Sequence, residues 1–362
     1  MFALTACNKP QEGNTPITIR RKNGTSDWHF YIDKAEALIY NNKYNADQRR
    51  LPHENEVFPT YPGILDQLPV IKTKQKGICC FMNCFTVDLY AMCGEPRPQG
   101  GAGYLSCYLQ PAQTADGTPL RRPAVLVIPG GGYGHVSARE GEPIALRMLG
   151  YGYCAFVLDY SIEPIRFPTA LREAAMAMRY IRSHADEFGI GHDMVAAVGF
   201  SAGGHLCGTL GMLYDSPQVQ DLGAAQTLRP DALGLCYSVS ISYPPTHVGS
   251  FDNLCGDDAA LRRRLSLDRL VRPDMPAVYL WHTRDDDCVP CLGTLILAQK
   301  LVEAGVDCAL HLYRHGHHGL ATADIQSNTR DALRHISSDI PNWIGEFACF
   351  LEEKGFGVKD AR

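Results

Sequence analysis

The chain has 362 residues, with 34 Lys and Arg against 39 Asp and Glu and a formal charge of −5. That length suits one large α/β domain with an appended segment, and the mixed charge supplies no field that would draw nucleic acid or an anionic membrane. No run of 18 apolar residues occurs, so no spanning helix is expected; small neutral or weakly charged partners and a cytoplasmic location fit best.

Fourteen cysteines scatter from Cys7 to Cys349 without the regular spacing of a disulfide framework, and they read as reduced thiols packed as small hydrophobes. Cys288-Val289-Pro290-Cys291 has redox-motif spacing, and Cys79, Cys80 and Cys84 lie close together, but packing accounts for both groups. The start, Met1 to Cys7, is similar to the tail of a lipoprotein signal yet lacks a charged leader and sufficient apolar length.

In chain order, residues 1–80 form an N-terminal extension with one short helix expected over 32–41. Its Trp28, Phe30, Tyr31, Phe58 and Tyr61 are too many aromatics for a solvated tail, so the segment is expected to pack on the main domain. From 81 to 362 the pattern becomes regular. Phe85 to Met92 and Tyr104 to Leu109 alternate like paired antiparallel edge strands. Continuous apolar runs follow at Ala124 to Ile128, Ala155 to Leu158, Met194 to Val198, Ala232 to Tyr237, Ala277 to Trp281 and Cys308 to Tyr313, as in strands buried on both faces. Between them lie helical patterns at Glu142 to Leu149, Leu171 to His184, Ala202 to Leu213 and Leu292 to Ala304. The alternation predicts an α/β fold: a mostly parallel, doubly wound sheet with antiparallel edge strands and helices on both faces. Lid or loop excursions are expected around 211–275.

The chemistry gathers at the carboxyl ends of these runs. Gly199-Phe200-Ser201-Ala202-Gly203 reads as a sharp strand-to-helix turn that lifts the Ser201 hydroxyl clear of the backbone. Asp285, Asp286 and Asp287 follow one later run, and His315, His317 and His318 follow the next, giving the chain order Ser, Asp, His. A serine hydroxyl becomes a nucleophile when an imidazole takes its proton and a carboxylate orients that imidazole. Pro129-Gly130-Gly131-Gly132-Tyr133 ends the first buried run, so the amides of Gly131, Gly132 and Ala202 are candidate oxyanion donors, each worth roughly 3 kcal/mol to a transition state. His311, His315, His317 and His318 with Asp285 to Asp287 would also suit zinc, but the triad order makes no metal or cofactor necessary. His205 reads as a packed residue, and Arg139, Glu140 and Glu142 as local ion pairs fastening the glycine loop, with a substrate contact as the alternative.

Several blocks in order make the chain resemble the α/β-hydrolase superfamily, within it the bacterial acetylesterase, acetylxylan-esterase-like or xylanase-associated group. They are Ile128-Pro129-Gly130-Gly131-Gly132-Tyr133, Arg139-Glu140-Gly141-Glu142-Pro143, Gly199 to Leu206, Leu280-Trp281-His282-Thr283 and His317-His318-Gly319-Leu320. The resemblance implies a serine esterase that removes short acyl groups, acetyl above all, from sugars such as xylo-oligosaccharides. It places the acid on Asp286, in an Asp-x-x-Val-Pro block, and the base on His318, in a His-Gly-Leu block. Two other functions share the fold: a serine peptidase of the prolyl-oligopeptidase type, and a catalytically silent binding module.

Overall fold

A computed structural model describes the backbone of residues 14–19 and 28–33 and the full structure of residues 82–361. The chain divides into two units, Met1–Gln75 and Lys76–Arg362. In the first, β1 (Asn14–Ile19) and β2 (Trp28–Asp33) pair antiparallel. The helix expected over 32–41 therefore gives way to strand at Ile32 and Asp33, where the aromatic and β-branched run favours a pleated backbone. Its remainder, along with Phe58, Tyr61, Cys7, Cys79 and Cys80, lies outside the described residues, as do the side chains of Trp28, Phe30 and Tyr31.

The second unit begins with β3 (Asn83–Asp88), α1 (Leu89–Cys93) and β4 (Tyr104–Leu109). The strand expected to reach Met92 stops at Asp88, whose carboxylate accepts from the Ala91 amide at 3.1 Å and starts a helical turn. That turn buries Leu89 and Tyr90 and ends at Gly94 in the left-handed region, φ 70°. Then follow β5 (Leu120–Ile128), α2 (Glu142–Gly150), β6 (Cys154–Asp159), α3 (Thr169–Ser183), β7 (Ile190–Phe200) and α4 (Ala202–Leu213). After them come β8 (Ala232–Cys236), α5 (Val248–Cys255), β9 (Ala277–Thr283), α6 (Leu292–Glu303), β10 (Cys308–Tyr313), α7 (Trp343–Glu353) and β11 (Lys359–Asp360). Between α4 and β9 the chain supplies β8, α5 and short helical turns, such as Ala259–Arg264 and Leu267–Leu270.

The sheet runs in the order β10-β9-β8-β7-β5-β6-β4-β3, with β11 pairing with β5. Pairs from β10 through to β6 are parallel, whereas β6/β4 and β4/β3 are antiparallel. Residues 124–128 of β5 are fully buried, which explains their unbroken apolar run. Successive side chains point to opposite faces: Ala124, Leu126 and Ile128 join a cluster with Met176 of α3, Leu210 of α4 and Leu297 of α6. Val125 and Val127 join another with Ile144 of α2 and Phe347 of α7. Burying one such large aliphatic side chain contributes about 1.5–3 kcal/mol, and an aspartate at Leu126 would bring an unpaired charge into the same space.

From β5 the chain passes to β6 on one side and then crosses to lay β7 on the other. The carboxyl ends of β5 and β7 therefore flank the topological switch point, the place where open α/β sheets bind ligands. Pro129 follows one end and Ser201 the other.

Candidate active site

Ser201 sits between the last residue of β7 and the first of α4 with φ 53° and ψ −120°, a region that non-glycine residues avoid. Its amide donates to the Cys236 carbonyl at 3.0 Å, and its carbonyl accepts from His205 and Val239, so three bonds hold the strained backbone. The flanking glycines are sterically required. A Cβ on Gly203 would stand 2.2 Å from the carbonyl oxygens of Ile128 and Pro129, and one on Gly199 would stand 2.2 Å from the Gly203 oxygen. Tyr133, Tyr237, Ala321 and Ala323 also have positive φ, so backbone strain collects in the loops around this serine.

Three loops converge here. The Ser201 Oγ lies 2.8 Å from the His318 Nε2, and the His318 Nδ1 lies 2.8 Å from the Asp286 Oδ2. The second Asp286 oxygen accepts from the amides of Cys288 at 2.9 Å and Val289 at 2.8 Å. Burial alone would raise the Asp286 carboxyl, but hydrogen bonds from His282 and His318 and the charges of both rings outweigh it and hold the group well below the usual carboxylate range. An ionised Asp286 can only accept, so the His318 proton resides on Nδ1, and Nε2 is left to accept from the Ser201 hydroxyl.

The neighbouring candidates go elsewhere. Asp285 accepts from the His315 Nδ1 at 2.9 Å and the Gly316 amide at 2.8 Å, while Asp287 accepts from the His318 backbone amide at 3.3 Å. His317 turns its Nδ1 to the His318 carbonyl, and His311 lies 3.2 Å from Glu346. Cys288 and Cys291 are both free thiols, Cys288 exposed and Cys291 buried against the Arg284 carbonyl.

The glycine loop presents its amides because its carbonyls are engaged. Gly130 O accepts from Ser137 N, Gly131 O from Gly134 N and His135 N, and Gly132 O from the Asn253 side chain at 2.9 Å. The Gly130 amide is itself taken by Glu140 at 2.8 Å. Among the described residues, the amides of Gly131, Gly132 and Ala202 meet no acceptor, which leaves three N–H groups beside the Ser201 hydroxyl for an incoming oxygen. The cleft lined by Gly131, Gly132, Ser201 and His318 holds about 430 Å³, and α5 with its capping residue supplies one wall through His247, Gly249 and Asn253.

Glu140 corrects one expectation. Instead of pairing with a cation it is buried, 3% exposed, and also accepts from the Tyr237 hydroxyl at 2.7 Å. A backbone amide and a phenol fasten the loop more directly than a surface ion pair would. Arg139 donates to the Ser327 carbonyl rather than to a carboxylate. His205 is packed as expected: its Nε2 donates to the Leu265 carbonyl at 2.7 Å and its Nδ1 accepts from Tyr133 at 2.8 Å.

Two residues at the site carry roles that pattern alone does not reveal. His282 is fully buried, with Nε2 2.9 Å from the Val289 carbonyl and 3.2 Å from the Asp286 Oδ2. Tyr237 stacks edge-on against the His318 ring, centroids 5.1 Å apart, and its hydroxyl accepts from the Ala321 amide at 3.0 Å. The sequence signals available for His282 are its place one residue before the end of the strand that precedes the acid and its membership of the Leu280-Trp281-His282-Thr283 block. A larger groove of about 630 Å³ runs along β10 and α7, but its Tyr279 and His311 converge on the carboxylate of Glu346 and leave no paired nucleophile and base.

Residues 109–253 match the BD-FAE family. Over 217 residues the chain is 31% identical to endo-1,4-beta-xylanase B of Butyrivibrio fibrisolvens, a match covering 57% of this chain and 33% of that protein. It is 28% identical over 229 residues to an acetylxylan esterase of Xylanibacter ruminicola, covering 61% of this chain and 45% of the esterase. The chain thus spans less than half the length of these curated relatives. Among solved structures, the acetyl ester-xyloside bifunctional hydrolase from Caldicellulosiruptor lactoaceticus superimposes with a TM-score of 0.60 at 32% identity, covering 69% of this chain and 89% of that one.

Proposed function

Because this chain belongs to the α/β-hydrolase superfamily, in its acetyl- and xylan-esterase-like group, we propose that it is a serine carboxylic-ester hydrolase that removes short acyl groups, acetyl above all, from acetylated sugars such as xylo-oligosaccharides. The observation that carries the reaction class is the pair of 2.8 Å contacts joining Ser201, His318 and Asp286 beside the Gly131, Gly132 and Ala202 amides, which meet no acceptor among the described residues. The acetyl group and the sugar rest on the names of the relatives: an acetylxylan esterase and an acetyl ester-xyloside hydrolase. The catalytic unit is residues 81–362, with 1–80 as an N-terminal extension and the excursions around 211–275 forming part of the pocket wall.

Ser201 Oγ attacks the ester carbonyl while His318 Nε2 takes its proton. Asp286 fixes the imidazole and stabilises the cation that forms. The oxyanion falls among the amides of Gly131, Gly132 and Ala202, each contributing about 3 kcal/mol. His318 then returns the proton to the departing alcohol, leaving an acyl group on Ser201. A water, deprotonated by the same imidazole, attacks that acyl-enzyme and releases the acid.

Replacing Ser201 with alanine removes the nucleophile and leaves the cleft intact, so hydrolysis of p-nitrophenyl acetate is expected to fall by at least about 10⁴-fold in kcat. Wild-type turnover by Ser201→Ala would defeat the assignment.

A further inference from the structure

On the esterase assignment above, we propose that Arg139 makes this cleft selective for esters whose alcohol part carries a carboxylate. Most other polar side chains along the cleft are committed. The Glu140 carboxylate is held by the Gly130 amide and the Tyr237 hydroxyl, and the Asn253 amide by the Gly132 carbonyl. The His247 Nδ1 faces Ser250, whose amide and hydroxyl lie within bonding distance, and Ser201 and His318 bond to each other. Burial, with the nearby His318 charge, pushes the His247 imidazole down, so this ring does not supply a lasting positive charge.

The Arg139 guanidinium remains. Its Nη1 donates to the Ser327 carbonyl at 3.2 Å, and no carboxylate among the described residues pairs with it. One bond leaves four of the five N–H donors available, in a planar fork that matches both oxygens of a carboxylate.

Position decides which half of the ester it reads. A methyl group placed on Gly319 would come within 3.2 Å of the Arg139 Nη2, so the fork stands over the residue that follows His318. The departing alcohol must lie beside the His318 Nε2 to receive its proton, and it is therefore the alcohol that comes within the reach of Arg139. A uronic acid or another carboxylated alcohol presents the complementary group there.

The test compares 4-acetoxybenzoate with its uncharged isostere 4-acetoxybenzamide, measuring kcat/KM for each with the wild type, Arg139→Gln and Arg334→Gln. Arg334 pairs with Asp331 at the surface, so its variant removes the same charge away from the cleft. The ratio of charged to neutral ester is expected to fall about tenfold in Arg139→Gln, the scale of one charge-assisted contact in a half-open site. It should stay at the wild-type value in Arg334→Gln, and the wild-type preference should shrink as salt rises. A ratio unchanged by Arg139→Gln, or lowered equally by Arg334→Gln, overturns the inference even if both esters are hydrolysed briskly. An Arg139 that merely braces the loop would slow both esters alike and leave the ratio where it was. Failure of the wild type to hydrolyse either ester overturns instead the esterase assignment, and the inference with it.

Discussion

The His282 Nε2 lies 3.2 Å from the same Asp286 oxygen that receives the His318 Nδ1. Because that nitrogen also faces the Val289 carbonyl at 2.9 Å, it must carry the proton, while the Thr294 hydroxyl serves Nδ1 at 2.8 Å. His282 thus donates to the carboxylate, lowers its basicity and fixes which lone pair points at His318. We expect His282→Leu to lower kcat about tenfold with KM little changed, and His282→Gln, which can still donate, to recover part of that loss. Without this donor Asp286 holds the His318 cation more strongly, so the acid limb of kcat/KM should move to higher pH. Loss of kcat with an unmoved pH profile would reduce His282 to a packing role.

Tyr237 joins loops that are far apart in sequence. Its hydroxyl donates to Glu140, which holds the glycine loop, and accepts from Ala321, which follows the His318 loop. Tyr237→Phe leaves a buried carboxylate short of one donor and a buried amide without its acceptor. The expected destabilisation in urea unfolding is about 1–3 kcal/mol, together with a drop in kcat for acetyl esters. A variant as stable as the wild type would show that the Glu140 carboxylate finds another partner.

His205 makes stability depend on pH. Burial, offset in part by the bond to the Leu265 carbonyl, pushes its imidazole down to about 4. In the unfolded chain the group titrates near ~6.5. Between those values the unfolded state binds a proton that the folded state refuses, so stability is fully present above about 6.5 and is lost as pH falls toward 4, by at most ~3 kcal/mol. Thermal unfolding across this window should show the slope in the wild type and a flatter one in His205→Gln. Equal slopes would mean that the fold protonates His205 as readily as the unfolded chain does.

How much of this was legible from residues alone depended on the range of the interactions. The limits of α4 and β10 follow from glycines and breakers beside them, and the convergence of Ser201, Asp286 and His318 follows from strand ends that share one rim. The strand assigned through Met92 erred because the Asp88 cap and the burial of Leu89 and Tyr90 turn that apolar run into a helix. The α7 helix drew no expectation, although its Trp343 and Phe347 fill one face of the sheet. The partners of Glu140, Tyr237 and His282 were not legible for a different reason. Tyr237 meets Glu140 across 97 residues, and no periodicity encodes a contact between single side chains on separate loops.

The most direct measurement is intact-protein mass spectrometry after reaction with a short-chain fluorophosphonate, followed by peptide mapping. One adduct is expected, on Ser201, absent from Ser201→Ala and formed far more slowly in His318→Ala. A label on any other residue, or equal labelling of Ser201→Ala, would contradict the account.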